Sequence, residues 1–309
     1  MGVFPVSKLS VVVPCYNEEE SLPLFYQEVS AVLKDMGTDY EIVFIDDGSS
    51  DGTPQELRKL AAADSRCRYI IFSRNFGKEA GMYAGLAEAE GEYCVIMDAD
   101  LQHPPGLLPQ MYKAVTEEGY DCCGGKRKGR QGDGALRSFL SRSFYKVGKK
   151  LTKLDMSDGY GDFRMMRRTV VDALLEMKEY NRYMKGLYSF VGFTTKWIEY
   201  ENVERVRGET KWSLKSLFSY AAEGIFSFST VPLKLAGAVG ILLFFAALIV
   251  IAVNLTSLSR TDLLLFFILF LSSLQMLFIY ILGAYLSRDY LENKRRPVYI
   301  VKEKGGERI

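Results

Sequence analysis

Two aspartates one residue apart, Asp98 and Asp100, follow the apolar run Tyr93–Met97, and Gln102 and His103 come directly after them. A second acidic segment, Asp46-Asp47-Gly48-Ser49-Ser50-Asp51, begins where the apolar run Glu41–Ile45 ends. Oxygen donors of this kind hold Mg²⁺ or Mn²⁺ in preference to zinc. A divalent cation between protein carboxylates and a nucleotide diphosphate removes the repulsion between two sets of negative charge. An Asp-x-Asp pair alone is common in exposed loops. Its weight here comes from its place directly after a buried run and from the second acidic loop. His103 is the only histidine in the chain. That leaves no material for a zinc site built on several histidines and almost none for a histidine triad. Followed by Pro104 and Pro105, His103 reads as a positioning residue.

Loops of this kind need strand ends to hold them. Leu9–Val13, Glu41–Ile45, Tyr69–Phe72 and Tyr93–Met97 read as buried strands from their β-branched and aromatic content. Glu20–Met36 shows helical spacing through Leu22, Phe25, Val29 and Leu33, and Glu79–Ala89 is a helix rich in Ala and Gly. Pro54 suits the first turn of a helix capped by Thr53. Alternating strands and helices predict an α/β domain with a mainly parallel sheet and helices on both faces. Ligands in such sheets bind beyond the carboxyl ends of the strands. The loops Pro14–Glu18, Asp46–Asp51 and Asp98–His103 all sit at such ends. No GxGxxG or GxxxxGK[ST] follows any strand, which argues against a dinucleotide site or a P-loop.

Across 309 residues, 39 Lys and Arg balance 38 Asp and Glu, for a net charge of +1. A nearly neutral chain is not a whole-chain nucleic-acid binder. Five cysteines without CxxC spacing read as reduced core residues in a reducing compartment. Charge is unevenly spread. Leu235–Val253 and Leu263–Leu286 carry none, and each is long enough to cross a bilayer of about 30 Å. The short turn between them, Asn254–Asp262, predicts an antiparallel two-helix transmembrane hairpin. Arg288, Lys294, Arg295, Arg296, Lys302, Lys304 and Arg308 follow it and mark that side as cytoplasmic. Met1–Ser10 has no signal-peptide pattern. Ser213–Ser229 alternates apolar and polar residues at helical spacing and reads as an interfacial amphipathic helix beginning at Trp212. The expected domains are a cytosolic catalytic domain over 1–210, the amphipathic helix over 211–230, two spans over 231–287 and a basic cytoplasmic tail over 288–309.

Taken together, Val13-Pro14-Cys15-Tyr16-Asn17-Glu18, the Asp46–Thr53 loop, Asp98-Ala99-Asp100-Leu101-Gln102-His103-Pro104, Gly161-Asp162-Phe163-Arg164 and Arg205-Val206-Arg207-Gly208-Glu209-Thr210-Lys211 resemble family 2 glycosyltransferases of the GT-A fold. The resemblance covers about residues 8–230. With the C-terminal hairpin added, the chain is similar to the polyprenyl-phosphate glycosyltransferases, among them bactoprenol glucosyltransferases and dolichol-phosphate mannose synthases. That resemblance implies a nucleotide-sugar donor, a polyprenyl (undecaprenyl) phosphate acceptor at the lipid bilayer of a bacterial plasma membrane, and a role in cell-envelope glycosylation. UDP-glucose comes first among donors, then UDP-GlcNAc, UDP-galactose and GDP-mannose. The resemblance is compatible with a homo-oligomer.

By the same resemblance, Pro14, Tyr16 and Glu18 contact base and ribose, and Asp47 hydrogen-bonds the base. Asp98 and Asp100, with Ala99 between them, bind the sugar and the metal, and Gln102 adds a metal ligand. Arg205 and Lys211 hold the diphosphate or the lipid phosphate, and Arg127 is a further phosphate contact. Arg137 and Ser141, four apart on one helix face, suit the acceptor phosphate. Asp162 orients the acceptor or the sugar, or serves as a base, unless it merely pairs with Arg164. A processive polysaccharide synthase would carry a Gln-x-x-Arg-Trp motif, and Tyr180-Asn181-Arg182-Tyr183-Met184 stands in that region instead. A scaffold that only binds a nucleotide-sugar would not need Asp98, Asp100, Gln102, Arg205 and Lys211 all intact.

Overall fold

The apolar runs at 9–13 and 41–45 become adjacent interior strands of an eight-stranded sheet in a computed structural model of the chain. The structure describes residues 9–128, 160–201 and 260–306, together with six single positions between 231 and 245. The amphipathic-helix expectation, almost all of the first span, and Arg137, Ser141, Arg205 and Lys211 lie outside the described residues.

The strands are β1 (Leu9–Cys15), β2 (Tyr40–Asp46), β3 (Cys67–Phe72), β4 (Tyr93–Ile96), β5 (Cys122–Lys128), β6 (Tyr160–Arg167), β7 (Thr195–Glu201) and β8 (Val301–Gly305). Their order in the sheet is β7-β5-β6-β4-β1-β2-β3-β8. β1 to β4 are mutually parallel where they pair, as the alternating pattern predicts. The rest departs from a mainly parallel sheet. β6 runs antiparallel to both β4 and β5, and β8 runs antiparallel to β3, so the sheet is mixed. Helices α1 (Leu22–Asp35), α2 (Thr53–Ala63), α3 (Lys78–Glu88), α4 (Leu108–Thr116), α5 (Arg168–Glu176) and α6 (Met184–Phe190) accompany the strands. Leu22, Phe25, Val29 and Leu33 of α1 are fully buried, as their spacing requires. Burial of each such side chain contributes about 1.5–3 kcal/mol. All five cysteines are buried and unpaired. Thr53 does not cap α2: the cap position is Gly52, and the Thr53 hydroxyl accepts the Glu18 N–H at 2.8 Å.

Two compact units emerge, Met1–Leu214 with Pro297–Ile309, and Lys215–Arg296. In the second, α7 (Arg260–Asn293) runs for 34 residues, so Arg260–Asp262 belong to the helix and not to a turn. Its segment Phe270–Asn293 is long and apolar enough to cross a membrane.

The residues after that helix, expected from the sequence to form a basic cytoplasmic tail over 288–309, contain the edge strand β8. Glu303 accepts two hydrogen bonds from Arg58, at 2.8 and 2.7 Å, and one from the Tyr69 hydroxyl at 2.8 Å. Tyr299 stacks on Phe72 at 4.9 Å. The hydrogen bonds from Arg58 and Tyr69 hold the Glu303 carboxyl at about 2, below its usual value. A depressed carboxylate pKa contributes stability that is fully present above the ordinary glutamate range and lost as pH falls toward about 2. Glu303→Gln is therefore expected to loosen the edge by about 0.5–1 kcal/mol near neutral pH, because the pair is partly exposed. Hydrogen exchange of the β3 amides should speed up roughly two- to fivefold. Unchanged exchange would show that Glu303 does not help to hold β8.

Candidate active site

Three loops leave the carboxyl ends of β1, β2 and β4. The first two are fastened together. Asn17, at a left-handed φ of 54°, donates its N–H to the Ser49 hydroxyl at 2.8 Å and accepts the Ser50 N–H at 2.9 Å. Asparagine tolerates that backbone better than most residues. Asp46, fully buried, accepts hydrogen bonds from the N–H and hydroxyl of Ser49. Pro14 is half-buried and Tyr16 is exposed beside this platform, while the Glu18 carboxylate accepts from the Ser21 hydroxyl.

Asp47 links the platform to the rest of the site. Its two carboxylate oxygens accept the N–H groups of Phe76 at 2.6 Å and Gly77 at 2.9 Å. Burial pushes this carboxyl up to about 6, although the two N–H groups pull the other way. The residue after Gly77 is Lys78, the first of α3. Its Nζ lies 2.6 and 2.8 Å from the two oxygens of Asp98 and 3.2 Å from Asp162 Oδ2. Burial alone would raise the Asp98 carboxyl, but the charge of Lys78, with help from Arg127, holds it down at about 2. Burial works against the Lys78 charge too, and the two carboxylates overcome it, so the ammonium stays protonated well above the usual lysine range.

Asp162 reaches this cluster through topology. β6 is antiparallel to β4 with Ile96 opposite Arg164, so the chain two residues beyond Ile96 meets the chain two residues before Arg164. Those residues are Asp98 and Asp162. Arg164 is not the partner of Asp162: its guanidinium lies over the rings of Tyr188 at 4.1 Å and Trp197 at 4.9 Å. The Asp162 partner is Lys78. Its other oxygen, Oδ1, is buried and has no hydrogen-bond partner among the described residues.

The Asp98–His103 turn is tightly built. Leu101 adopts a left-handed φ of 59°, strained for a leucine. Asp100 is nearly buried and accepts the Gln102 N–H at 3.1 Å. His103 is buried, stacks on Phe163 at 4.8 Å, and accepts the Asp98 N–H on Nδ1 at 3.1 Å. An Nδ1 that accepts leaves the proton of a neutral ring on Nε2, and burial keeps that ring neutral. His103 thus positions Asp98. At the end of β5, Arg127 donates to the Gln102 side-chain oxygen at 3.2 Å and to the Tyr200 hydroxyl at 3.3 Å.

The structure therefore joins Asp98, Asp162 and Lys78 in one ionic group, and Gln102 with Arg127 in a second contact beside it. Lys78 escapes a reading of the sequence, because a lysine at a helix start looks like a solvated side chain. Among the described residues there is no group of three or more His, Cys, Asp or Glu arranged to enclose a metal. That donor set still fits a Mg²⁺- or Mn²⁺-type ion, which typically takes only one or two carboxylates and completes its shell with substrate phosphates and water. Asp98, Asp100 and the Gln102 amide supply the right atoms, and the Asp162 oxygen that has no partner among the described residues leaves acceptor capacity in the site.

A protein-family model described as Glycosyl transferase family 2 matches residues 10–175, which take in the three loops and the Gly161–Arg164 segment. The Prophage bactoprenol glucosyl transferase homolog of Escherichia coli (strain K12) is 39% identical over 302 residues, covering 96% of this chain and 98% of its own. The Bactoprenol glucosyl transferase of Shigella phage SfV is 38% identical, again covering 96% of this chain and 98% of its own.

Proposed function

This chain belongs to glycosyl transferase family 2, and we propose that it moves glucose from UDP-glucose to undecaprenyl phosphate at a bacterial plasma membrane. The observation that carries this reading is the ionic group of Asp98, Asp162 and Lys78 at the carboxyl ends of the strands, in a chain whose relatives are named for bactoprenol. The platform of Pro14, Tyr16, Glu18 and Asp47 receives the nucleoside. Asp98, Asp100 and Gln102 hold Mg²⁺ or Mn²⁺, which when bound neutralises charge on the leaving nucleoside diphosphate. Arg127 contacts a phosphate. Arg137, Ser141, Arg205 and Lys211 serve the diphosphate and the lipid phosphate.

The chemistry needs little more from the protein than orientation. A phosphate monoester, with a second pKa of about 6, reaches the site already ionised. It attacks the anomeric carbon in a single inverting displacement, and the bond to the diphosphate breaks as the new one forms. Asp162, with one oxygen on Lys78 and the other unpartnered among the described residues, orients a sugar hydroxyl of the donor. Positioning of two bound reactants accounts for much of such a rate enhancement.

The membrane reading rests on a parity. β7 and β8 belong to one sheet, so the chain between residues 202 and 300 leaves that sheet and returns to it. If α7 crosses a bilayer, an even number of crossings is required, and Leu235–Val253 is the apolar run that supplies the second. The catalytic unit then lies on the cytoplasmic face, with Ser213–Ser229 at the interface. A lipid acceptor explains the anchor, since pulling a polyprenyl chain into water costs about 0.8 kcal/mol per CH₂.

The test incubates membranes containing the protein with undecaprenyl phosphate, Mg²⁺ or Mn²⁺, and each of four labelled donors: UDP-glucose, UDP-GlcNAc, UDP-galactose and GDP-mannose. Label from UDP-glucose should enter the solvent-extracted lipid, and EDTA should abolish it until metal is restored. Failure of every donor to label lipid would overturn the proposal.

A further inference from the structure

The cation that the site holds is one of its own. Lys78 places its ammonium against both oxygens of Asp98, at 2.6 and 2.8 Å, and against Asp162 at 3.2 Å. The remaining donors are also engaged from within: Asp100 takes the Gln102 N–H, and the Gln102 amide oxygen takes Arg127. A divalent ion arriving alone must therefore compete with an ammonium for the same Asp98 oxygens. It would find the Asp98 and Asp162 carboxylates already sharing an ammonium and, among the described residues, no protein cage to complete its shell.

Lysine suits such a place-holder. Its ammonium is a compact point charge on a flexible four-carbon stem. The Lys78 side chain is 38% exposed, so a path out is open. Its backbone is fixed by the two N–H groups that Asp47 holds just ahead of it, so only the side chain needs to move. A nucleoside diphosphate brings its own negative oxygens. An ammonium that leaves Asp98 can pair with them, and the metal can take the vacated carboxylate.

We propose that Lys78 is a resident counter-cation that keeps divalent metal off Asp98 until a nucleoside diphosphate arrives, so that metal and donor bind as a coupled pair. The inference rests on the metal-dependent donor site proposed above. It extends that reading by assigning a positioning residue outside the Asp-x-Asp segment and a condition on metal entry.

The test is Mn²⁺ binding to the full-length protein in detergent, followed by the paramagnetic signal of free Mn²⁺, with and without UDP. Wild type should bind Mn²⁺ weakly alone and much more tightly with UDP. Lys78→Met should bind Mn²⁺ without UDP at least about tenfold more tightly than wild type, since one competing positive charge is gone. The gain that UDP provides should shrink accordingly. Lys78→Arg, which keeps the charge, should behave like wild type, and thermal melting of both variants checks that they fold. Equal or weaker Mn²⁺ binding by Lys78→Met, with wild type still tightened by UDP, overturns this proposal alone. Absence of Mn²⁺ binding to wild type even with UDP overturns the metal-dependent reading beneath it.

Discussion

Replacing Asp98 by Asn should lower sugar transfer at least about a thousandfold, the scale expected when a preorganised charge at the reacting centre is removed. The substitution is nearly isosteric. The amide oxygen that takes the place of the carboxylate still accepts from Lys78, and the backbone N–H at this position still reaches His103 Nδ1. What disappears is a full negative charge that the surroundings are built to keep: the Asp98 carboxyl is held ionised at about 2 in spite of its burial. Asp100→Asn should show a similar loss, because both acids are proposed to serve the same metal and donor. The melting temperature of either variant should stay within about 3 °C of wild type, since neither change opens a cavity and the flexible Lys78 can turn from the new amide NH₂ toward the amide oxygen and Asp162. Retention of more than about a tenth of wild-type transfer by Asp98→Asn would remove Asp98 from the reaction and favour a protein that binds nucleotide-sugars without turning them over.

The second large effect is on the architecture of the nucleotide side. Gly48 sits at φ +68°, and a Cβ there would lie 2.7 Å from the Asn75 nitrogen and 2.8 Å from Arg74 Cα, with the Arg74 carbonyl carbon closer still. These are backbone atoms, so no side chain can swing away to make room. The loop they belong to leads into Phe76, Gly77 and Lys78. Gly48→Ala should therefore cost about 2–4 kcal/mol, the sum of left-handed strain and overpacking. A drop of roughly 10 °C in melting temperature is expected, with a raised KM for the donor. Gly37→Ala is the control. It also has a positive φ, +61°, but nothing lies within 4 Å of its added Cβ. It should cost only about 1 kcal/mol. Equal melting temperatures for the two variants would show that the close approach of the two loops does not matter.

The legible parts of the fold are those whose local chemistry and tertiary role agree. β1 to β4 are β-branched or aromatic runs bounded by turn residues, and they lie within one or two residues of where the sequence puts them. The Asp-x-Asp segment is visible for the same reason, as a polar turn after a buried run. β5 is not, because Cys122-Cys123-Gly124-Gly125-Lys126-Arg127-Lys128 has little of the composition of a strand. Its glycines are demanded by its neighbours: a side chain at Gly124 would strike the Trp197 ring, and one at Gly125 the rings of Phe163 and Tyr200. Sheet context decides such a strand more than intrinsic preference does. The pairing of Lys78 with Asp98 and Asp162 is hidden because it depends on the antiparallel register of β6, which no short segment encodes. β8 is hidden because a short edge strand with two exposed lysines, Lys302 and Lys304, looks like a solvated tail.

The joining of Tyr69 to Glu303 across 234 positions of sequence also has a bearing on how the protein is made. At about 5–20 residues per second, the ribosome delivers β8 some tens of seconds after β3. During that interval the outer edge of β3 has no partner strand, and a bare edge is a template for pairing with other chains. The long apolar helix α7 must be synthesised before the strand that seals this edge. Completion of the sheet is thus a late event in biosynthesis, reached only by chains translated through the apolar segment.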